Sequence, residues 1–242
     1  MTSAATPSVA WNGDYQTGDL SQWHAVVEAA PGRISITHSP VRTGYADTAQ
    51  FVVEPGDHTN SVRSERAEVT ATQEQTGGYQ GEEAWFGWST LFPDNLNPPS
   101  GKTSIFTQWH QTQAAVSESC PPNIAFKVDA RHSSSTILMT VRGGTLSGCK
   151  PETLVSWVLG PLTLDRWHDF VLHVLWSSDP AAGSVEVWMD GRRVVAPTST
   201  ATLYSGEGVY LRQGFYRPSS SLTSTIFQTA TKRGDSYEAV AP

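Results

Sequence analysis

Three short runs in this sequence concentrate side chains that hold anions and move protons. Val62-Arg63-Ser64-Glu65-Arg66-Ala67-Glu68-Val69 alternates charge within a strand-like stretch. Gln108-Trp109-His110 sets an amide and an imidazole two residues apart, and the run from Tyr210 through Arg212, Gly214 and Tyr216 to Arg217 repeats polar groups at the same spacing. A sheet needs none of these groups for its stability. Arg and Gln can grip and neutralise a carboxylate, whereas His and Tyr can transfer protons. Converging on one concave sheet, such a set suits a uronate sugar.

The elements that must carry these runs are strands. With a period of two, Phe106, Gln108 and His110 share one face, and Ile105, Thr107 and Trp109 the other. By the same rule Tyr210, Arg212, Gly214 and Tyr216 oppose Leu211, Gln213 and Phe215. Phe170, Leu172, Val174 and Trp176 form a clean apolar face that reads as scaffold. Strands are expected at 33–37, 49–54, 61–71, 84–92, 103–110, 123–130, 136–142, 153–158, 168–176, 184–189, 192–195 and 208–217. Pro55-Gly56-Asp57, Gly77-Gly78, Pro93-Asp94-Asn95, Pro98-Pro99 and Gly143-Gly144 punctuate them. Asp190-Gly191 is the strongest turn signal, because a two-residue hairpin connection needs positive φ. About a dozen short strands without an amphipathic helix imply a β-sandwich or barrel. No internal repeat or composition break divides residues 1–242, so a single domain is expected, with its core at about 9–235 and frayed ends at 1–8 and 236–242.

Composition narrows the function. The 242 residues carry 16 basic and 23 acidic side chains for a net charge of −7, and the basic set is 12 Arg and four Lys. No basic field advertises nucleic acid or a membrane surface, and no stretch approaches the roughly 18 apolar residues of a membrane-spanning helix. A monomer is expected. The sequence begins without a charged segment leading into an apolar run, so it shows no signal peptide. Cys120 and Cys149 lie in loop-like segments and allow one disulfide, which would suit secretion; two buried free thiols are the alternative. His168 and His173 read as structural, and His24, His38, His58 and His132 follow no metal-ligand pattern.

Beyond these features, the three polar runs resemble the signature strands of jelly-roll polysaccharide lyases. They are most similar to the heparin-lyase-I-like and glucuronan lyases, and more distantly to the jelly-roll alginate lyases. The resemblance extends to Trp11–Trp23, to Trp85-Phe86-Gly87-Trp88-Ser89-Thr90-Leu91-Phe92-Pro93, to Trp167-His168-Asp169-Phe170, and to Val187-Trp188-Met189-Asp190-Gly191. It thus covers most of residues 11–217. It implies an all-β jelly-roll sandwich of two curved antiparallel sheets with a concave cleft, and an anionic polysaccharide as partner.

The chemistry it implies is β-elimination at a 4-linked uronate. The carboxylate is neutralised, the C5 proton is removed, and the C4–O bond breaks to leave an unsaturated end. Gln108 and an Arg of the first run, Arg63 or Arg66, would bind the carboxylate. His110 would be base or carboxylate stabiliser, and Tyr216 would be acid, or base and acid in turn. Arg212 falls where the alginate enzymes commonly have Lys, so it would contact substrate or tune Tyr216; Glu65, Glu68, Tyr210 and Arg217 would contact substrate. In the alginate enzymes the first run reads Arg-x-Glu-x-Arg, and this chain has Ala67 where the last Arg would fall. Arg63 with Glu65, or Arg66 with Glu68, can face the cleft, but not both pairs without a bulge. The chemistry requires no cofactor, although a structural calcium would suit the oxygen ligands of Asp14, Asp19 and Asp235. A binding module that kept the cleft and lost the chemistry is a second class of function, and a hydrolase using Glu65 and Glu68 a third. Because the chain is acidic, unsulfated glucuronan-like or alginate-like polymers rank ahead of heparin or heparan sulfate.

Overall fold

The computed structural model describes residues 6–59, 61–117 and 119–242. In chain order the strands are β1 (Val9–Asn12), β2 (Ala25–Glu28), β3 (Ile34–Thr37), β4 (Thr48–Val53) and β5 (Ser64–Thr70). A one-turn helix, α1 (Gln73–Thr76), precedes β6 (Glu83–Leu91), β7 (Thr103–Gln111), β8 (Ile124–Asp129), β9 (Thr136–Ser147) and β10 (Lys150–Pro161). The remainder comprises β11 (Trp167–Leu175), β12 (Ser184–Met189), β13 (Arg192–Ser199), β14 (Val209–Pro218), β15 (Ser224–Gly234) and a second short helix, α2 (Tyr237–Val240).

Two antiparallel sheets face each other. One runs β13-β12-β11-β6-β15-β4-β3 with β1 added on β15; the other runs β10-β9-β8-β7-β14-β5-β2. Their inner faces share one apolar cluster, in which Trp88 packs on Phe126 and Phe170 while Trp109 meets Phe86. This is a sandwich, one of the two architectures that the alternation and turn spacing imply, and it agrees with the jelly roll that the resemblance implies. Asp190 and Gly191, with φ of 52° and 74°, close the β12–β13 hairpin as its sequence requires.

Three strands were not legible. β1 and β2 are four-residue edge pieces, but β15 lies inside its sheet between β6 and β4. On its inward face the core residue Ile226 is flanked by polar Ser224 and Gln228, so β15 lacks a clean apolar period. Gln228 is fully buried and donates to the Phe106 carbonyl (2.9 Å) and to the hydroxyls of Thr90 and Thr107. Such pairing makes a buried amide tolerable. The expected fraying at 236–242 is also corrected. Val240 is fully buried and Tyr237 packs on Trp188 (5.2 Å), which docks α2 onto the β6–β15 sheet. At the other end, residues 1–5 lie outside the described residues.

Bulges shift the faces of the central strands. Between β7 and β8, Ile105 pairs with Lys127 but Thr107 with Phe126, so β7 carries one extra residue. Parity therefore changes across this point. Phe106 points into the core beside Phe92 and Phe126, and Ile105 takes the cleft side with Gln108 and His110. A second bulge, on β14 against β7, falls between Gln213 and Tyr216 and contains Gly214 at φ 130°. A Cβ there would lie 2.2 Å from the Ala67 carbonyl oxygen. Gly214→Ala should therefore destabilise the domain by about 1–3 kcal/mol through overpacking alone. Calorimetry should show a melting temperature several degrees lower; a shift under about one degree would mean that the strand accommodates a side chain.

Candidate active site

The outer face of the β10–β2 sheet carries a cleft of about 540 Å³. Arg66 from β5, Gln108 and His110 from β7, and Arg212 and Tyr216 from β14 line it. Strand pairing sets them in rows. Tyr216 is the partner of both Arg66 and Ile105, Arg212 of Gln108, and Tyr210 of His110. The three polar runs of the sequence thus meet on adjacent strands.

The register of β5 decides between the two Arg–Glu pairs. Ala67 and Val69 enter the core, so Arg66 and Glu68 face the cleft side and Glu65 faces inward. Glu68 is buried and anchors two neighbours. It accepts from Gln108 Nε2 at 2.5 Å and lies 3.5 Å from Arg66 Nη1. The Arg66 guanidinium in turn lies over the Tyr216 ring, 4.3 Å from its centroid. Arg212 makes the equivalent contact with Tyr210, donating to its hydroxyl and sitting 5.0 Å from its ring centroid. His110 is buried, with Nδ1 3.3 Å from the Gln111 carbonyl oxygen, a contact that needs a proton on Nδ1.

Three predicted site residues lie elsewhere. Arg63 precedes β5, is exposed, and lines an adjoining depression of about 210 Å³ rather than the main cleft. Glu65 and Arg217 are expected to contact substrate but form a buried ion pair on the core side. Arg217 Nε and Nη2 lie 3.0 and 2.9 Å from Glu65 Oε2, and the Arg217 side chain is fully buried. The alternation of each strand sends these residues away from the cleft. Among the described residues no group of three or more His, Cys, Asp or Glu side chains gathers to hold a metal. Asp14, Asp19 and Asp235, the residues expected to suit a structural calcium, accept hydrogen bonds within their own turns, from Gln16, Ser21 and Ser236 respectively.

Sequence reasoning missed two cations. Lys127 on β8 and Arg142 on β9 complete the far wall of the cleft. The signal was present, since Ile-Ala-Phe-Lys-Val-Asp and Met-Thr-Val-Arg each place a base on the face opposite core residues. Burial, with Arg142 and Arg131 nearby, pulls the Lys127 ammonium down to about 8. Arg142 is likewise lowered by burial. Four basic side chains thus line a cleft in a protein of net charge −7. Ser119–Pro122 form its rim. The Cys120–Cys149 disulfide ties this rim to the β9–β10 turn, and Arg142 Nη1 donates to the Pro122 carbonyl at 3.2 Å.

The sandwich thus gathers Arg, Gln, His and Tyr side chains in one cleft on one sheet. The family profile described as polysaccharide lyase matches residues 15–232, and the chain belongs to that family. A comparison with curated proteins finds no match. Among solved structures, an endo-β-1,4-glucuronan lyase from the fungus Trichoderma reesei is similar, with a TM-score of 0.79 at 18% identity over 97% of this chain and 99% of that one. A GH131 β-glucanase catalytic domain from Podospora anserina gives 0.59 at 15%, over 97% and 98%. The alginate lyase PA1167 from Pseudomonas aeruginosa gives 0.58 at 14%, over 84% and 86%. At these identities the likeness is one of fold, and it spans lyases and a glucanase alike.

Proposed function

We propose that this polysaccharide lyase cleaves an unsulfated 4-linked polyuronate, glucuronan-like or alginate-like, by syn β-elimination. The observation that carries the reading is the meeting of Arg66, Gln108, His110 and Tyr216 on neighbouring strands of one cleft. Arg66 and the second N–H of Gln108 neutralise the uronate carboxylate, which makes C5–H more acidic. Glu68 fixes both donors before substrate arrives, so their reorganisation cost is already met by the fold. Tyr216, reacting as the phenolate, takes the C5 proton and, now as the phenol, gives it to the C4 oxygen as the C4–O bond breaks and the C4=C5 double bond forms. This shuttle requires the two to lie on one side of the ring, as in glucuronate and mannuronate. The Arg66 guanidinium lies over the Tyr216 ring, so the carboxylate clamp and the proton-transfer group stand side by side.

The reading invokes no cofactor, and one chain supplies every group. The disulfide supports an extracellular setting. Among the described residues no helix is long and apolar enough to cross a membrane. A glucanase-type hydrolysis would need two carboxylates flanking the bond. Glu68 is instead engaged by Gln108 and Arg66, and Glu65 by Arg217.

Heparin or heparan sulfate is the second reading. The four basic side chains in the cleft favour it, because net acidity of the whole chain does not describe the site. The first ranking rests on Glu68, which offsets the charge of Arg66 and leaves little for dense sulfation. A panel of polyglucuronate, polymannuronate, polyguluronate and heparin, followed by the ultraviolet absorbance of unsaturated uronate, tests the order. The expected result is a rise with polyglucuronate or polymannuronate. A rise with heparin alone would reverse the ranking.

A further inference from the structure

We propose that Lys127 and Arg142 form a second carboxylate subsite, which holds the uronate next to the one being cleaved and selects polymers with carboxylates on consecutive sugars. The inference rests on the polyuronate reading above and deepens it. Arg66, Tyr216, Ile105 and Lys127 are successive partners across four strands. At about 4.8 Å per strand, the backbones of Arg66 and Lys127 are roughly 14 Å apart, more than one sugar ring. One carboxylate therefore does not account for both ends of the cleft.

The far end is built for an anion. Lys127 makes no salt bridge among the described residues; its Nζ donates to Thr140 Oγ1 (3.2 Å), and that hydroxyl meets Ser156 Oγ (3.1 Å). Arg142 is held by a neutral carbonyl, that of Pro122. Two partly desolvated cations on adjacent strands repel each other, and a carboxylate between them relieves that repulsion while making charge-assisted hydrogen bonds. Lys127 also lines the smaller depression together with Tyr216, so it borders both the main cleft and its extension.

The charged and titratable groups facing Lys127 are Asp129 and Arg131 at its own end of the sheet, Arg142 from β9, His110 from β7, Tyr216 and Arg212 from β14, Arg66 from β5, and Arg63 at the smaller depression. Lys127 is raised by Asp129 and lowered by burial and by the Arg residues, with the balance near 8. The ammonium is thus present below that pH and lost above it, so the grip weakens as pH rises.

The experiment combines binding and kinetics. Tetraglucuronate and tetramannuronate are titrated calorimetrically into Tyr216→Phe and into Tyr216→Phe/Lys127→Met, and KM and kcat are followed from pH 6.5 to about 9.5 for wild type and Lys127→Arg. Tetrauronate affinity should fall about tenfold or more on loss of Lys127. Wild-type KM should rise as pH passes about 8, and Lys127→Arg, which stays charged, should flatten that rise. If Lys127→Met does not fold, the pH profile of Lys127→Arg decides alone. Polyuronate cleavage with KM and tetrauronate affinity indifferent to Lys127 would overturn the subsite and leave the lyase reading standing. Lys127-dependent binding without cleavage of any polyuronate would do the reverse.

Discussion

Tyr216→Phe should lower kcat on polyglucuronate or polymannuronate by about 10³-fold or more, at the upper range for a proton-transfer group, while tetrauronate affinity changes little. The substitution removes one hydroxyl. The ring keeps its place beneath the Arg66 guanidinium, 4.3 Å away, and the Arg66–Glu68–Gln108 chain that grips the carboxylate is untouched. A loss confined to kcat is the signature of a group that acts in the transition state. His110→Ala should cost less on these polymers, because in the syn route the imidazole braces the carboxylate and does not take the proton. In guluronate the C5 hydrogen and C4 oxygen lie on opposite sides of the ring. There His110 would be the base and Tyr216 the acid, so His110→Ala should become as damaging as Tyr216→Phe. Near-normal turnover by Tyr216→Phe would exclude this mechanism for every polymer in the panel.

Glu65→Ala should lower the melting temperature by about 6–20 °C and leave KM unchanged. Glu65 bears most of the charge compensation for Arg217, whose fully buried guanidinium, among the described residues, otherwise bonds to Ser224 Oγ (2.6 Å). Its carboxylate also accepts from the backbone N–H of Gly56 (2.8 Å) and Ser220 (3.2 Å), which pins two loops against the sheet. Removing one partner of such a pair costs about 3–5 kcal/mol, because the other charge is left buried. In a domain of this size each kcal/mol corresponds to about 2–4 °C. Replacing both partners, as in Glu65→Leu/Arg217→Met, should cost far less. Retained stability with a strongly raised KM would instead place Glu65 in the substrate cleft.

Much of this site follows from local chemistry. Gln108-Trp109-His110 and the Tyr210–Arg217 run hold polar side chains at a spacing of two, and any extended strand then presents them on one face. Asp190-Gly191 likewise specifies its hairpin, because few other pairs accept positive φ at both positions. Cys120 and Cys149 allow a single intrachain bond, and they form it. Other features depend on contacts between distant segments. The charges of residues 62–69 do not by themselves select between Arg63–Glu65 and Arg66–Glu68; the packing of Ala67 and Val69 into the shared core does. Period two alone puts Phe106 beside Gln108, but one extra residue in β7 against β8 reverses its direction. β15 lacks a clean apolar period because it carries the buried Gln228, whose Nε2 finds acceptors on Phe106, Thr90 and Thr107, 121 or more residues away in sequence. The charge of the cleft is also a tertiary property: four basic side chains from β5, β8, β9 and β14 gather there although the chain as a whole is acidic. Side-chain chemistry and period are local, and the sequence determined them by itself; register and bulges are set by long-range pairing, so only the folded sandwich decided which groups face the substrate.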